Sequence, residues 1–178
     1  MTNTIDTTRL RRAAPSDARL LAELAARLFE DTYSKDNDPE DMRSYLAGAF
    51  SEDMQFAELA DPDHVTWIAL GPTDQPIGYA AMRRGTRADG VVAVRPAEVE
   101  RIYANHAWHG HGIGAALMAA CVEQARAWEC DVLWLAVWQR NPRAIAFYEK
   151  TGFCKVGRQT FVLGSDLQHD HVMARSIV

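Results

Sequence analysis

Apolar residues recur at helical spacing near the start of the chain. Leu20, Leu24 and Leu28 repeat every fourth position, as do Leu21, Ala25 and Phe29, which predicts one amphipathic helix ending near Tyr33. Before it, Arg9 to Ala13 reads as a short strand closed by Pro15-Ser16-Asp17, with Ser16 or Asp17 placed to cap the helix. Asn37-Asp38-Pro39 restarts the chain with proline in a first turn, and Met42, Tyr45, Leu46 and Phe50 supply the next apolar face. Ser51 is placed to cap a further short helix running towards Ala60.

After Asp61-Pro62 the period shortens. Val65 to Leu70 and Ile77 to Met82 read as strands joined through Gly71-Pro72-Thr73-Asp74-Gln75-Pro76, a hairpin. A polar loop at 84–90 precedes a strand at 98–104, and a helix at 113–128 buries Leu117, Met118, Cys121 and Ala125. A strand at 132–138, a helix at 142–150 and two strands, Lys155 to Leu163 and His169 to Ala174, complete the pattern. The order β, helices, β, β, β, α, β, α, β, β predicts an α/β chain, one mixed sheet with helices on its faces. No repeat or linker interrupts residues 1–178, so one domain is expected.

Composition narrows the function. A net charge of −5 and a pI near 5.6 argue against a nucleic-acid partner and favour a cationic one. The opening segment MTNTIDTTRLRRAAPSD has no apolar stretch behind a basic region, and no run is long and apolar enough to cross a membrane. A cytoplasmic protein with no membrane partner is expected. Cys121, Cys130 and Cys154 have neither metal nor redox spacing and read as free thiols. The histidines lack the partners of a metal site, so none is predicted.

The chemistry concentrates at residues 98–153. The loop His109-Gly110-His111-Gly112-Ile113-Gly114 opens a helix. Its three glycines let backbone approach a ligand, and the free N–H groups at a helix start suit a pyrophosphate. The spacing G-x-G-x-G differs from the dinucleotide fingerprint, and no Gly-Lys-Ser/Thr follows. Taken alone, the loop also fits an ordinary glycine-rich turn. Glu98 and Glu100 lie two apart in a strand and so share a face, as a base near a substrate or as a solvated edge.

The loop resembles the Arg/Gln-x-x-Gly-x-Gly/Ala signature of the GNAT superfamily of acyl-CoA-dependent N-acyltransferases. Asn141, Ala144, Phe147, Tyr148 and Gly152-Phe153 match its later Asn-x-x-Ala-x-x-Phe-Tyr-x-x-x-Gly-Phe segment. His109 stands where the family usually has Arg or Gln. The resemblance implies the GNAT fold, a mostly antiparallel central sheet flanked by helices, with acetyl-CoA as cosubstrate. It also implies that coenzyme binds at Ile102 and Ala104, at the loop residues His109, Gly110, His111, Gly112, Ile113 and Gly114, and at Asn141 and Tyr148. Tyr148 takes the family's tyrosine position, where a protonated phenol can supply the departing thiolate's proton. The resemblance offers Glu98 and Glu100 equally as the base. Phe147, the neighbour of Tyr148, is expected to be the packing residue.

A narrower likeness is carried by Phe29-Glu30-Asp31-Thr32-Tyr33, Asn37-Asp38-Pro39-Glu40-Asp41-Met42, Tyr45-Leu46 and Ala49-Phe50. Glu98 to Tyr103, Trp134 to Trp138 and Met173-Ala174 extend it. These segments look like PaiA-type polyamine N-acetyltransferases, implying spermidine, spermine or a related amine as substrate. From Glu30 to Asp53, eight acidic residues (Glu30, Asp31, Asp36, Asp38, Glu40, Asp41, Glu52 and Asp53) face only Lys35 and Arg43, a balance that attracts cations. Helix capping, the helix dipole and solvation account for most such residues, and Asp31 and Tyr33 are the foremost substrate contacts expected. The alternatives are another amine (a protein N-terminus, lysine, amino acid or antibiotic) or a non-catalytic acyl-CoA-binding regulator. A homodimer is compatible with all of these.

Overall fold

The computed structural model describes residues 9–177; the segment before Arg9, included in the reading of the N-terminus above, lies outside them. Seven strands form one sheet: β1 (Arg9–Arg12), β2 (His64–Leu70), β3 (Pro76–Arg84), β4 (Pro96–Ala104), β5 (Val132–Trp138), β6 (Cys154–Leu163) and β7 (Asp166–Ser176). Their spatial order is β1-β2-β3-β4-β5-β7-β6, antiparallel throughout except for the parallel pair β4 and β5. Helices α1 (Ala18–Tyr33), α2 (Pro39–Ala49), α3 (Glu52–Ala60), α4 (Ile113–Ala127) and α5 (Pro142–Lys150) flank it. The expected mixed α/β sheet is present.

Each face of the sheet carries its own core. On one, Leu117, Met118, Cys121 and Ala125 of α4 and Ile145 and Tyr148 of α5 pack against Val65, Ile77, Val99, Leu133, Leu135 and Val137. On the other, Leu21, Leu24, Ala25, Leu28 and Phe29 of α1 join Met42, Phe50, Ile68 and Tyr79. The period of four in α1 thus buries the stripe that the spacing identified, each fully buried leucine contributing about 1.5–3 kcal/mol of apolar transfer.

The caps follow local chemistry with one exception. Asp38 accepts the backbone N–H groups of Glu40 and Asp41, and Ser51 accepts that of Met54. Neither Ser16 nor Asp17 caps α1 through its side chain. A single 3₁₀ turn over Pro15–Asp17 precedes the helix, and the Asp17 carboxylate turns back to Arg11 at 2.7 Å and to the Ala14 N–H. A bidentate guanidinium outcompetes a single amide.

Candidate active site

The two central parallel strands separate soon after they pair. Pro96, Ala97 and Glu98 stand opposite Val132, Leu133 and Trp134, and the register stops there. From Val99 to Ala104, β4 has no strand partner on its β5 side among the described residues. The wedge between them opens into a cleft of about 700 Å³, walled by both strands, the glycine loop and the starts of α4 and α5. Ile102 and Ala104 line it, so an extended ligand can pair with their strand as an added edge.

At one end of the cleft the loop folds as its glycines require. Gly110 and Gly112 hold φ of 84° and 81°, in the left-handed region that side chains disfavour. A Cβ added at either would meet no protein atom within 4 Å, so the space beside both is open to a ligand. The first bond inside α4 runs from the Ala116 N–H to the Gly112 carbonyl at 2.9 Å. The N–H groups of Ile113, Gly114 and Ala115 therefore have no intrahelical acceptor and carry the positive end of the helix dipole. This arrangement fits a pyrophosphate. His109 lines the cleft, but its Nε2–H donates to the Ala104 carbonyl at 3.0 Å, tying the loop to the end of β4. Burial holds its pKa below the ordinary histidine value, so it is neutral and adds no charge to the anion site. His111 is exposed, outside the cleft lining, with Nδ1 3.2 Å from the His109 carbonyl. Arg140 and Arg143, which sequence reasoning passed over, also line the cleft and supply cations there.

Asn141 caps α5, its side chain accepting the Ala144 N–H at 3.1 Å, and it lines the cleft as well. Tyr148 and Phe147 reverse the expected division of labour in burial. Tyr148 is the buried one, packed on Phe153, whereas Phe147 is half-exposed and covers Gly114, its ring 3.5 Å from where a Cβ would stand. Both border the cleft. Burial drives the Tyr148 pKa well above its ordinary value, with the nearby Tyr33 adding to the effect, so the phenol is protonated.

A second cavity of about 260 Å³ lies on the α1–α2 side of the sheet. It shares Tyr33, Glu100, Arg101, Tyr103, Ala136 and Trp138 with the first, so the two meet. A β-bulge shapes the common wall: Ala81 stands opposite Arg101 and Met82 opposite Val99, leaving Glu100 as the extra residue. Glu100 and Arg101 consequently reach groups on the same side of the sheet. Glu100 lies 2.8 Å from Nε2 of His64 and 3.3 Å from Nε of Arg83, while Arg101 forms a bidentate pair with Glu58 at 2.7 and 2.9 Å.

The two glutamates differ in environment. Burial, reinforced by the charge of Glu100, pushes the Glu98 carboxyl up to about 7. Burial pushes Glu100 the same way, but the His64 hydrogen bond and the charges of His64, Arg101 and Arg83 outweigh it and hold Glu100 below its ordinary value. Tyr33 borders both cavities, its ring edge-on to Tyr103 and Trp138. Asp31 is exposed and borders neither. Asp38 is spent on capping α2, and Asp41 accepts the Ser165 hydroxyl.

Sequence reasoning also missed Asp170, buried at 8% exposure on the second cavity, and His64, whose side chain is fully enclosed beneath Glu100. Their signal was a polar residue at an inward position of a strand, which alternation alone treats as an edge. Among the described residues no group of three or more His, Cys, Asp or Glu is placed to hold a metal, and no helix is long and apolar enough to cross a membrane.

Comparison with known proteins agrees with this geometry. The family model described as "Acetyltransferase (GNAT) family" matches residues 21–153. An uncharacterised N-acetyltransferase of Lactobacillus delbrueckii subsp. lactis is 33% identical over 84% of this chain and 86% of its own. Another from Mycobacterium tuberculosis is 36% identical over 92% of this chain and 99% of its own. Among solved structures, the PaiA N-acetyltransferase of Thermoplasma acidophilum in complex with coenzyme A superposes with a TM-score of 0.76 at 19% identity, over 96% of this chain and 99% of that one. The chain belongs to the GNAT acetyltransferase family, acyltransferases that use acetyl-CoA as cosubstrate.

Proposed function

We propose that this protein transfers the acetyl group of acetyl-CoA to a primary amine and that its acceptor is a polyamine such as spermidine or spermine. The observation that carries the reading is the meeting of the two cavities. One leads from the glycine cradle along the unpaired edge of β4, and the other is an acidic, aromatic chamber opening onto the same wall.

In this reading the N–H groups at the start of α4 hold the pyrophosphate, and the free edge of β4 at Ile102 and Ala104 orients the arm that carries the thioester. Glu98, with a pKa near 7, accepts the proton of the incoming ammonium, and Tyr148 donates one to the departing sulfur. Glu100 is fixed as an anion by His64 and Arg83, so it attracts a cation better than it accepts a proton. Aromatic side chains Phe29, Tyr45, Phe50 and Phe161 enclose the chamber and favour a cation over a neutral amine. Three free cysteines, Cys121 and Cys130 buried and Cys154 exposed, support a cytoplasmic setting.

The test is release of free thiol from acetyl-CoA across a panel of polyamines, aminoglycosides, amino acids and peptides. Polyamines giving the highest kcat/KM support the reading, and a peptide N-terminus or an antibiotic ranking first replaces the acceptor. Tight coenzyme binding without turnover of any amine supports a non-catalytic regulator instead.

A further inference from the structure

The second cavity is lined by a carboxylate, Asp170, that neither the base nor the acid of the transfer uses. Asp170 sits on β7 opposite Trp138, and Glu98 sits on β4 opposite Trp134. Cross-strand partners share a face, and Trp134 and Trp138 are four positions apart on β5, so both acids project to the same side of the sheet. Four residues at the rise of a strand separate them by about 13 Å along β5. They stand at different stations of one chamber.

Asp170 is 92% buried, yet no ion pair or side-chain hydrogen bond among the described residues engages it. Its neighbour Gln168 donates instead to Asn37 and Asp166. Arg101, the cation on the cavity wall, is already held by Glu58. A buried carboxylate without a partner is costly to keep ionised, and burial raises its pKa to about 6, against a small opposing effect of His169. A cation delivered by a ligand would relieve that cost, and Phe29, Tyr45, Phe161 and Trp138 around the same space present rings to it.

We propose that Asp170 is a specificity-determining residue that binds a second, distal cationic group of the acceptor. It thereby selects amines with two separated charges over monoamines of similar length. The inference rests on the acetyltransferase reading above and adds the residue that makes the acceptor site discriminate. Glu100 lies on the wall shared with the coenzyme cleft, where the reacting nitrogen must lie, whereas Glu98 and Asp170 line the second cavity alone. Asp170 has a role only if the acceptor carries a second charge that can reach it.

The experiment compares kcat/KM for linear α,ω-diamines of graded length with that for monoamines of matching length, in the wild type, Asp170→Asn and Asp170→Glu. Wild type should prefer diamines above a threshold length. In Asp170→Asn the ratio of diamine to monoamine kcat/KM should fall about 10- to 100-fold, the scale of one charged hydrogen bond, and mainly through KM. Asp170→Glu should recover part of the ratio and move the preferred length. Coenzyme A affinity by calorimetry reports whether each variant is folded, and Asp170→Ser replaces any that is not. An unchanged ratio, or equal losses on both amine classes, overturns the assignment of Asp170 while leaving the acetyltransferase reading intact. Failure of the wild type to acetylate any amine overturns both.

Discussion

Nε2 of His64 lies 2.8 Å from the Glu100 carboxylate, beneath the wall where the two cavities meet. A carboxylate only accepts, so Nε2 carries the proton, and Nδ1 is left buried with no partner among the described residues. The bond fixes Glu100 as an anion. Replacing His64 with Leu leaves that anion only Arg83, at 3.3 Å. Stability at pH 7 should fall by about 1–3 kcal/mol, the cost of an under-satisfied buried polar group. Because the folded Glu100 pKa is depressed, its contribution is present above the unfolded carboxyl pKa and lost as pH falls through the folded value. The gap between variant and wild type in urea melts should therefore narrow towards acid pH. An equal gap at acid and neutral pH refutes the charge role.

Glu98 should produce a rising limb in kcat/KM near pH 7, since it works as a base only when ionised. Glu98→Gln should remove that limb and lower kcat by about 100- to 10,000-fold. The stability sign is opposite to that of Glu100. A carboxyl whose folded pKa is raised contributes fully below its unfolded pKa, and that contribution is lost as pH rises through about 7. Glu98→Gln should thus gain roughly 1–3 kcal/mol relative to wild type between acid and mildly alkaline pH. A pH profile unchanged by the substitution excludes Glu98 as the base.

Tyr148→Phe removes one hydroxyl from a protonated, buried phenol that borders the coenzyme cleft. If that phenol donates to the leaving sulfur, kcat should drop about 100-fold or more while coenzyme A affinity changes little. Single-turnover kinetics isolates the chemical step, and an unaltered rate there leaves Tyr148 as packing for Phe153.

Gly112→Asp places a carboxylate in the open space beside the start of α4 and forces a side chain into a backbone with φ of 81°. Coenzyme A affinity should fall by at least about 100-fold, through charge repulsion and loss of the cradle. No protein atom lies within 4 Å of the added Cβ, so circular dichroism should report a retained fold. Calorimetry with unchanged affinity removes the loop from the coenzyme site.

Much of this was legible because it is local. The stripe of Leu20, Leu21, Leu24 and Leu28, Pro39 behind Asp38, Ser51 before Met54 and the glycines at 110 and 112 follow from backbone rules that need no distant partner. Asp17 departed from its expected capping because Arg11, six residues earlier, offers two charged hydrogen bonds. His109 stood at the right place in the loop, but its imidazole turned to a carbonyl in β4 that spacing does not reveal.

The sequence by itself determined the order of elements, the glycine cradle at a helix start and the Asn141 to Phe153 segment that carries the family likeness. Tertiary structure decided how the acids divide. Strict alternation places Glu98, Glu100 and Ile102 on one face, but the bulge at Glu100 resets the pleat, turns Arg101 to the acidic side and leaves Ile102 against the opposite core. It also set His64 under Glu100, left Glu98 in a low-dielectric wall and carried Asp170 from β7 into the same chamber. A carboxylate's basicity depends on what surrounds it in space, and those surroundings come from strands far apart in the chain.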